Sequence, residues 1–505
     1  MKIVKPVKNT NLRPTSCGLI FGLCLGLCVC GISAAAAMKN VEDSRITSHI
    51  ETEYWADDAV PSNAIDVDTN KGVVALSGSV DNVLAKDRAE KIAAATVGVR
   101  AVVNRIVVVP PVDRTDDVVK KAVKDALLAD PATDSFEVSV EVDDGVVELV
   151  GTVDSWQEKQ LCATVAKGVK GVVGVQNNID VDYKSERSDY EIEQEVQARL
   201  ANDVRVDDSL IAVKVKDQKV ILSGAVGSLQ EKNRARSDAW VGGVDSVDAD
   251  GLEIEWWARD EMRREKLYVS RGDEEIKKAV EDAFLYDPRV YSFNVQVEVS
   301  RGTVTLSGVV DNLEAKKAAA QDARDVVGVT RVFNNIKVRP SAVPSNAELE
   351  AKVNSALVAD PYIERFEITV AAYGGTVYLS GDVNTSWEKD RAGNVAEGVK
   401  VVLHVVNNID FEHRWTWKPD WQIREDIKDE LFWSPFVDED EVYLVVDDGV
   451  VTLNGTVDTY SERRSAEDNA YEGGAKDVIN NLTVTYKSYG PGYYGPYSPY
   501  GYYYP

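Results

Sequence analysis

The chain has 505 residues, more than one core of ~100–200 residues holds, so several modules are expected. Hydrophobic residues at 44% and charged residues at 28% exclude a disordered, collagen-like or polytopic membrane protein. With 84 Asp and Glu against 57 Lys and Arg, the net charge of −27 excludes nucleic acid as a partner, because gripping a phosphate backbone needs clustered cations.

At the N-terminus, Lys2, Lys5, Lys8 and Arg13 precede an uncharged run from Cys17 to Met38 that closes on Ala34-Ala35-Ala36-Ala37. A basic start, an apolar run and an Ala35-x-Ala37 site read as a secretory signal over residues 1–37, cut before Met38, which places the mature chain in the periplasm. The alternative is an uncleaved N-terminal anchor, since a run of that length at ~1.5 Å per residue just crosses a bilayer. Loss of the four basic residues takes the charge to −31, which opposes simple attraction to anionic lipid. Cys17, Cys24, Cys28 and Cys30 lie in the signal, so Cys162 is alone in the mature chain and no internal disulfide forms. Leu23, Leu27 and Val29 precede cysteines where a lipoprotein signal generally carries a small residue.

The rest of the chain is a repeat. A Leu-Ser-Gly-x-Val motif or close variant places Gly78, Gly151, Gly224, Gly308, Gly381 and Gly455 at nearly even spacing, with one longer step between Gly224 and Gly308. At one fixed offset before each stands an apolar residue (Ile46, Val119, Ile192, Ile276, Leu349, Ile423) that opens an i, i+4, i+8 ladder, one face of an amphipathic first helix. The period then drops to two, as in Val138-x-Val140-x-Val142, giving a first strand with one buried face. Gly72, Gly145, Gly302, Gly375 and Gly449, with Gln218 in the third copy, mark a two-residue hairpin, and the second strand carries the motif glycine. Asp81, Asp154, Asp311, Asn384 and Asp458, shortly after it, are expected to cap the second helix. That helix has Ala89, Ala235, Ala319, Ala392 and Ala466 at one offset and Cys162 in the remaining copy, so Cys162 reads as a small buried side chain, with a reactive thiol as the alternative. Lys86, Lys159, Lys232, Lys316, Lys389 and Arg463 share another offset and read as stems covering the core edge, or else as ligand contacts. Val102-Val103-Asn104-Arg105-Ile106 and its kin mark a last strand. The fold class is α+β: six tandem α-β-β-α-β modules, each a small three-stranded mixed sheet with two helices on one face.

The motif glycine, the turn glycine and the late Gly-Val of Gly98-Val99, Gly171-Val172 and Gly328-Val329 resemble the BON domain. The resemblance departs at Val244, Val401 and Ala475, which replace the late glycine in copies 3, 5 and 6. It implies export and association with phospholipid or envelope components, with a role in osmotic or envelope stress protection, and brings no catalytic residues. The copies are module 1 (41–110), module 2 (114–183), module 3 (187–256), module 4 (272–340), module 5 (345–414) and module 6 (419–487). Modules 4–6 repeat modules 1–3, as Asn177-Asn178-Ile179-Asp180 recurs at Asn407-Asn408-Ile409-Asp410. Residues 257–271 between the halves read as a hinge.

No chemistry-bearing cluster recurs in register: His49, His404 and His413 are the only histidines, so no catalytic, metal or cofactor site is expected and the protein is not expected to be an enzyme. Asp66-x-Asp68-x-Asn70 opens like a calcium loop but continues with Lys71 and Ser77 where Gly and Glu belong. Trp256, Trp257, Arg259, Arg263, Arg264 and Lys266 join aromatics to a local basic excess and form the candidate membrane interface, with a solvated linker as the alternative. The tail 488–505, eight Tyr among Gly, Pro and Ser, cannot build a core and is expected to be disordered. Two functions stand: a peripheral phospholipid- or envelope-binding protein, or a soluble periplasmic scaffold or holdase that binds proteins.

Overall fold

The computed structural model describes residues 41–485 apart from 113, 134–137, 184–186, 256, 260–270, 291–293, 341–343, 364–367, 412–416 and 435–436. The signal, the tail, Trp256, Arg263, Arg264 and Lys266 lie outside the described residues.

Module 1 sets the pattern. Its first helix, Asp43–Ala56, leads to strands Ile65–Asn70 and Val73–Val80, the second helix Val83–Ala95 and a last strand Ala101–Asn104 that resumes at Val107–Val108. The second strand is central, antiparallel to the first and parallel to the last. Six separate sheets follow this plan, and among the described residues no strand pairing fuses one module's sheet to the next. The last strand is broken in modules 1, 4 and 6 and continuous in modules 2, 3 and 5. Along the central strand Val74, Leu76 and Val80 are buried while Val73 and Ser77 face outward, so one sheet face is covered. Ile46, Ile50 and Tyr54 of the first helix and Ala85, Ala89 and Ala93 of the second fill that face, and the small alanines let the second helix sit close. Cys162 takes the alanine's place in module 2; it is buried, and burial first of all pushes its thiol up to about 11, which disfavours the thiolate.

The motif glycines answer to a steric demand. Gly78 has φ +116°, and a Cβ there would stand 2.1 Å from the carbonyl oxygen of Ala64; Gly224, Gly308 and Gly455 meet the same obstacle at 2.1 Å. The hairpin turns put both central residues at positive φ, as in Lys71 (52°) and Gly72 (74°), and in module 3 Asp217 and Gln218 (51° and 62°) adopt the same turn without glycine.

Two features of the modules depart from the sequence expectation. The second-helix caps are not Asp81, Asp154, Asp311, Asn384 and Asp458 but the residues after them: Asn82, Ser155, Asn312, Thr385 and Thr459, with Ser228 in module 3. Their short side chains accept from the N–H three positions on, which the preceding residue is one position too early to reach. The late turn keeps its glycine in modules 3 and 6, one position earlier, at Gly243 (φ +86°) and Gly474 (φ +100°), so Val244 and Ala475 are not substitutions in that turn. Only module 5 departs: Val401 itself holds φ +78°, a region β-branched residues avoid.

A further tie was hidden in the sequence. The first residue of each first helix accepts hydrogen bonds from its hairpin turn: Asp43 from the N–H groups of Lys71 and Gly72, at 2.7 and 2.9 Å, and likewise Asp116, Asp189, Asp273, Asn346 and Asp420. These bonds hold the Asp43 carboxyl below the usual carboxylate range.

Candidate functional site

The linker was the expected site, and of its first described residues Ala258 and Arg259 are structural. Trp257 is exposed, whereas Ala258 and Arg259 are each 1% exposed. The backbone of Arg259 lies so close to Gly227 that a Cβ there would come within 2.4 Å of it. Arg259 donates through Nη2 to the carbonyls of Phe432 and Ser434, at the C-terminal end of the module 6 helix Asp420–Trp433, where unpaired carbonyls and the helix dipole favour a cation. Arg259 is therefore withdrawn from the candidate membrane interface: a guanidinium buried against a helix end does not reach a headgroup. Arg271, at the far end of the linker, donates to the carbonyl of Ala201 near the end of the helix Asp189–Asn202. The halves are also joined directly, by Val204 N–H to Asp325 O and Val327 N–H to Asn202 O, both between modules 3 and 4, and by Lys170 N–H of module 2 to Ala359 O of module 5. The expected hinge thus connects halves that already hold each other.

The basic position of the second helix also proves structural. Its backbone carbonyl accepts from the Asn side chain of the last strand in five modules, Asn104 to Lys86, Asn177 to Lys159, Asn334 to Lys316, Asn407 to Lys389 and Asn480 to Arg463. All six basic side chains are half-buried; Lys232 donates to Leu252 O and Arg463 to the carbonyls of Leu482 and Asn480.

Three surfaces remain with binding chemistry. The first is a cleft of about 1720 Å³ between modules 2, 4 and 5 that reaches Arg464 of module 6. Ala126, Val165 and Val399 line it beside Arg114, Lys316 and Lys352, and cations outnumber carboxylates along it although the chain is strongly acidic. Arg391 is paired there with Asp360, and Lys317 with Glu397. Burial, with Asp130 nearby, pushes Glu314 up to about 7, which further lowers the negative charge of the walls. Such a mixture can hold an amphiphilic anion.

The second surface is a pair of indoles, Trp417 at 69% and Trp421 at 65% exposure, at the start of the Asp420–Trp433 helix beside Lys418 and Arg424. Sequence reasoning passed over them, although Trp415-x-Trp417 and Trp421 were a signal of the same kind as the linker; Trp415 lies outside the described residues.

The third is the junction of modules 1 and 6. His49 stacks on Trp433 at 4.3 Å, Arg45 lies 5.2 Å from the same ring, and Glu53 faces Glu430. Burial, then Glu53 and Glu472, pushes Glu430 up; burial and Glu472 push Glu53 up; burial and Arg45 hold His49 down to about 4.

Six sheets of this plan, each with a positive-φ glycine on its central strand, define a tandem α-β-β-α-β repeat protein. The family model of the BON domain matches residues 42–110, 115–183, 188–255, 272–340, 345–412 and 419–486, and the chain belongs to that family with six copies in tandem. Over 145 residues it is 34% identical to osmotically-inducible protein Y of Escherichia coli (strain K12), a stretch covering 28% of this chain and 72% of that protein. Over 146 residues it is 30% identical to outer membrane lipoprotein DolP of Haemophilus influenzae, covering 27% and 75%. A 21 kDa hemolysin of Actinobacillus pleuropneumoniae is 27% identical over 121 residues, covering 23% and 62%. No helix among the described residues is long and apolar enough to cross a membrane.

Proposed function

We propose that this chain is a non-enzymatic, exported BON-repeat protein that associates peripherally with phospholipid or other cell-envelope components and acts in envelope or osmotic stress protection. The observation that carries this reading is the similarity of a stretch two modules long to osmotically-inducible protein Y and to an outer membrane lipoprotein. The exposed indoles of Trp417 and Trp421 support it, because indole rings favour the headgroup level of a bilayer, and the cationic cleft offers a place for an anionic amphiphile. The linker cations Arg263, Arg264 and Lys266, with Trp256 and Trp257, make a second candidate patch in the sequence. Each cation near an anionic surface contributes ~1 kcal/mol. A mature charge of −31 opposes that attraction, so aromatic insertion supplies most of the affinity and binding is weak and falls with salt.

The test is flotation of the purified protein with anionic liposomes, comparing wild type with Trp417→Ala/Trp421→Ala and with Trp256→Ala/Trp257→Ala. Wild type should float and one pair should lose flotation. Equal flotation of all three rejects both patches. No flotation of wild type rejects the lipid reading and favours the protein-binding scaffold or holdase, which the acidic surface also suits.

A further inference from the structure

We propose that the junction of modules 1 and 6 is a divalent-metal site of the zinc class, with His49, Glu53 and Glu430 as its protein ligands. His49 and Glu53 lie one turn apart on the helix Asp43–Ala56 and so share a face, and Glu430 reaches them from the helix Asp420–Trp433. One donor atom from each of the three lies within 4.8 Å of the others.

The imidazole is what sets this group apart from a patch of carboxylates. The His49 side chain is 10% exposed, and its Nε2 lies 4.0 Å from Glu53 Oε1. That gap is too long for a hydrogen bond. Among the described residues nothing else hydrogen-bonds the ring, while the Trp433 indole, stacked at 4.3 Å and 10° between planes, fixes its orientation. A nine-tenths-buried imidazole side chain thus stands against two carboxylates.

The donor set selects the ion. One neutral imidazole nitrogen with two carboxylate oxygens matches the mixed nitrogen and oxygen ligands of zinc, leaving a fourth position for water, whereas calcium and magnesium take all-oxygen shells. Tetrahedral ligands at ~2 Å from an ion stand roughly 3.3 Å apart, so binding would draw the glutamate oxygens inward from their present separations. The other charges facing the site are Glu472 of the helix Tyr460–Glu472, Asp429 beside Glu430, Arg45 on the same helix as His49, and Arg88 of the helix Val83–Ala95 with its partner Asp57. The site is particular to this junction: in module 4, the positions that match His49 and Glu53 hold Ala279 and Ala283. Because its ligands come from the first and last modules, a bound ion would clamp the two ends of the repeat array together.

The test is equilibrium dialysis of the chelator-stripped, full-length protein against zinc, with bound metal measured by mass spectrometry, for wild type, His49→Ala and Glu430→Gln. Cys17, Cys24, Cys28 and Cys30 are common to all three proteins, so the difference between them isolates the junction. Wild type should hold one more zinc per chain than either variant, and zinc should raise the melting temperature of wild type only. Glu430→Gln preserves side-chain shape and decides the matter if His49→Ala does not fold. Equal zinc content in wild type and Glu430→Gln overturns the proposal, as does replacement of the bound zinc by an equal concentration of calcium.

Discussion

Modules 2 and 5 hold matching places in the two halves and make the same contacts with different residues. In each, the last-strand Asn bonds the second helix at 2.7 Å, and a hydroxyl side chain, Ser155 or Thr385, caps that helix. The ion pair to the preceding module is kept in place but reversed in sign: Lys167 meets Asp87 between modules 2 and 1, and Glu397 meets Lys317 between modules 5 and 4. The late turn has not been kept so evenly, since Gly171 at φ +96° becomes Val401 at φ +78°. A charge pair depends on the product of its charges, so a double exchange leaves it intact. A glycine in a left-handed turn has no partner that can change with it, so its loss persists as strain.

The largest effect expected on this comparison comes from what both halves share. Gly78→Ala and Gly308→Ala, each with a carbonyl oxygen 2.1 Å from the new Cβ, should each cost about 4 kcal/mol or more and lose the module's sheet. Amide exchange resolved by module checks this, and a loss confined to one of the pair would break the equivalence of the halves.

A pH dependence shared by modules 3 and 6 comes next. Burial pushes Glu231 and Glu462, at matching positions, up to about 7, against the backbone N–H groups of Gly227 and Asp207 and of Asp458 and Asp438 that lower them. Between 4.5 and 7 the folded chain keeps protons that the unfolded chain has released, so stability is greatest below the unfolded value and falls as pH rises through about 7. Urea unfolding at pH 5 and pH 8 should show a loss on the order of a few kcal/mol, smaller in Glu231→Gln/Glu462→Gln. A wild-type protein more stable at pH 8 would contradict this.

Arg259→Ala should cost about 2–3 kcal/mol, because it strips a charged donor from two carbonyls of module 6, one buried and one partly buried. A calorimetric scan with an unchanged transition would return Arg259 to the surface. Val401→Gly should stabilise by about 1 kcal/mol through relief of the left-handed turn. Gly171→Val should destabilise by more, since its side chain meets Arg114 and Val119 at 3.1 Å. Urea unfolding of the two variants checks both signs. The smallest effect is the exchanged pair: Asp87→Lys or Lys167→Asp alone should cost about 0.5–1 kcal/mol, and the double variant should recover most of it.

What was legible in the sequence was what repeats locally. Ladders such as Ile276/Val280/Phe284, the alternation of Val138/Val140/Val142 and the motif glycines place helices, strands and turns because each depends on a few neighbouring residues. Caps slipped by one position where two competent residues adjoin, as at Asp154-Ser155, and late turns slipped because a fixed offset from the motif glycine lands one residue past the turn glycine, on Val244 and Ala475. Arg259 was misplaced, and the junction of His49 with Glu430 was unseen, for one physical reason: their surroundings come from modules far along the chain, and periodicity within a module says nothing of which module ends meet.

The claim that the duplicated halves form one bonded body is tested most directly by hydrogen exchange at the amides of Lys170, Val204 and Val327, which donate across modules and belong to no strand or helix. The account predicts that they exchange as slowly as central-strand amides such as that of Leu76; exchange as fast as exposed loop amides would show halves that part at the 257–271 segment.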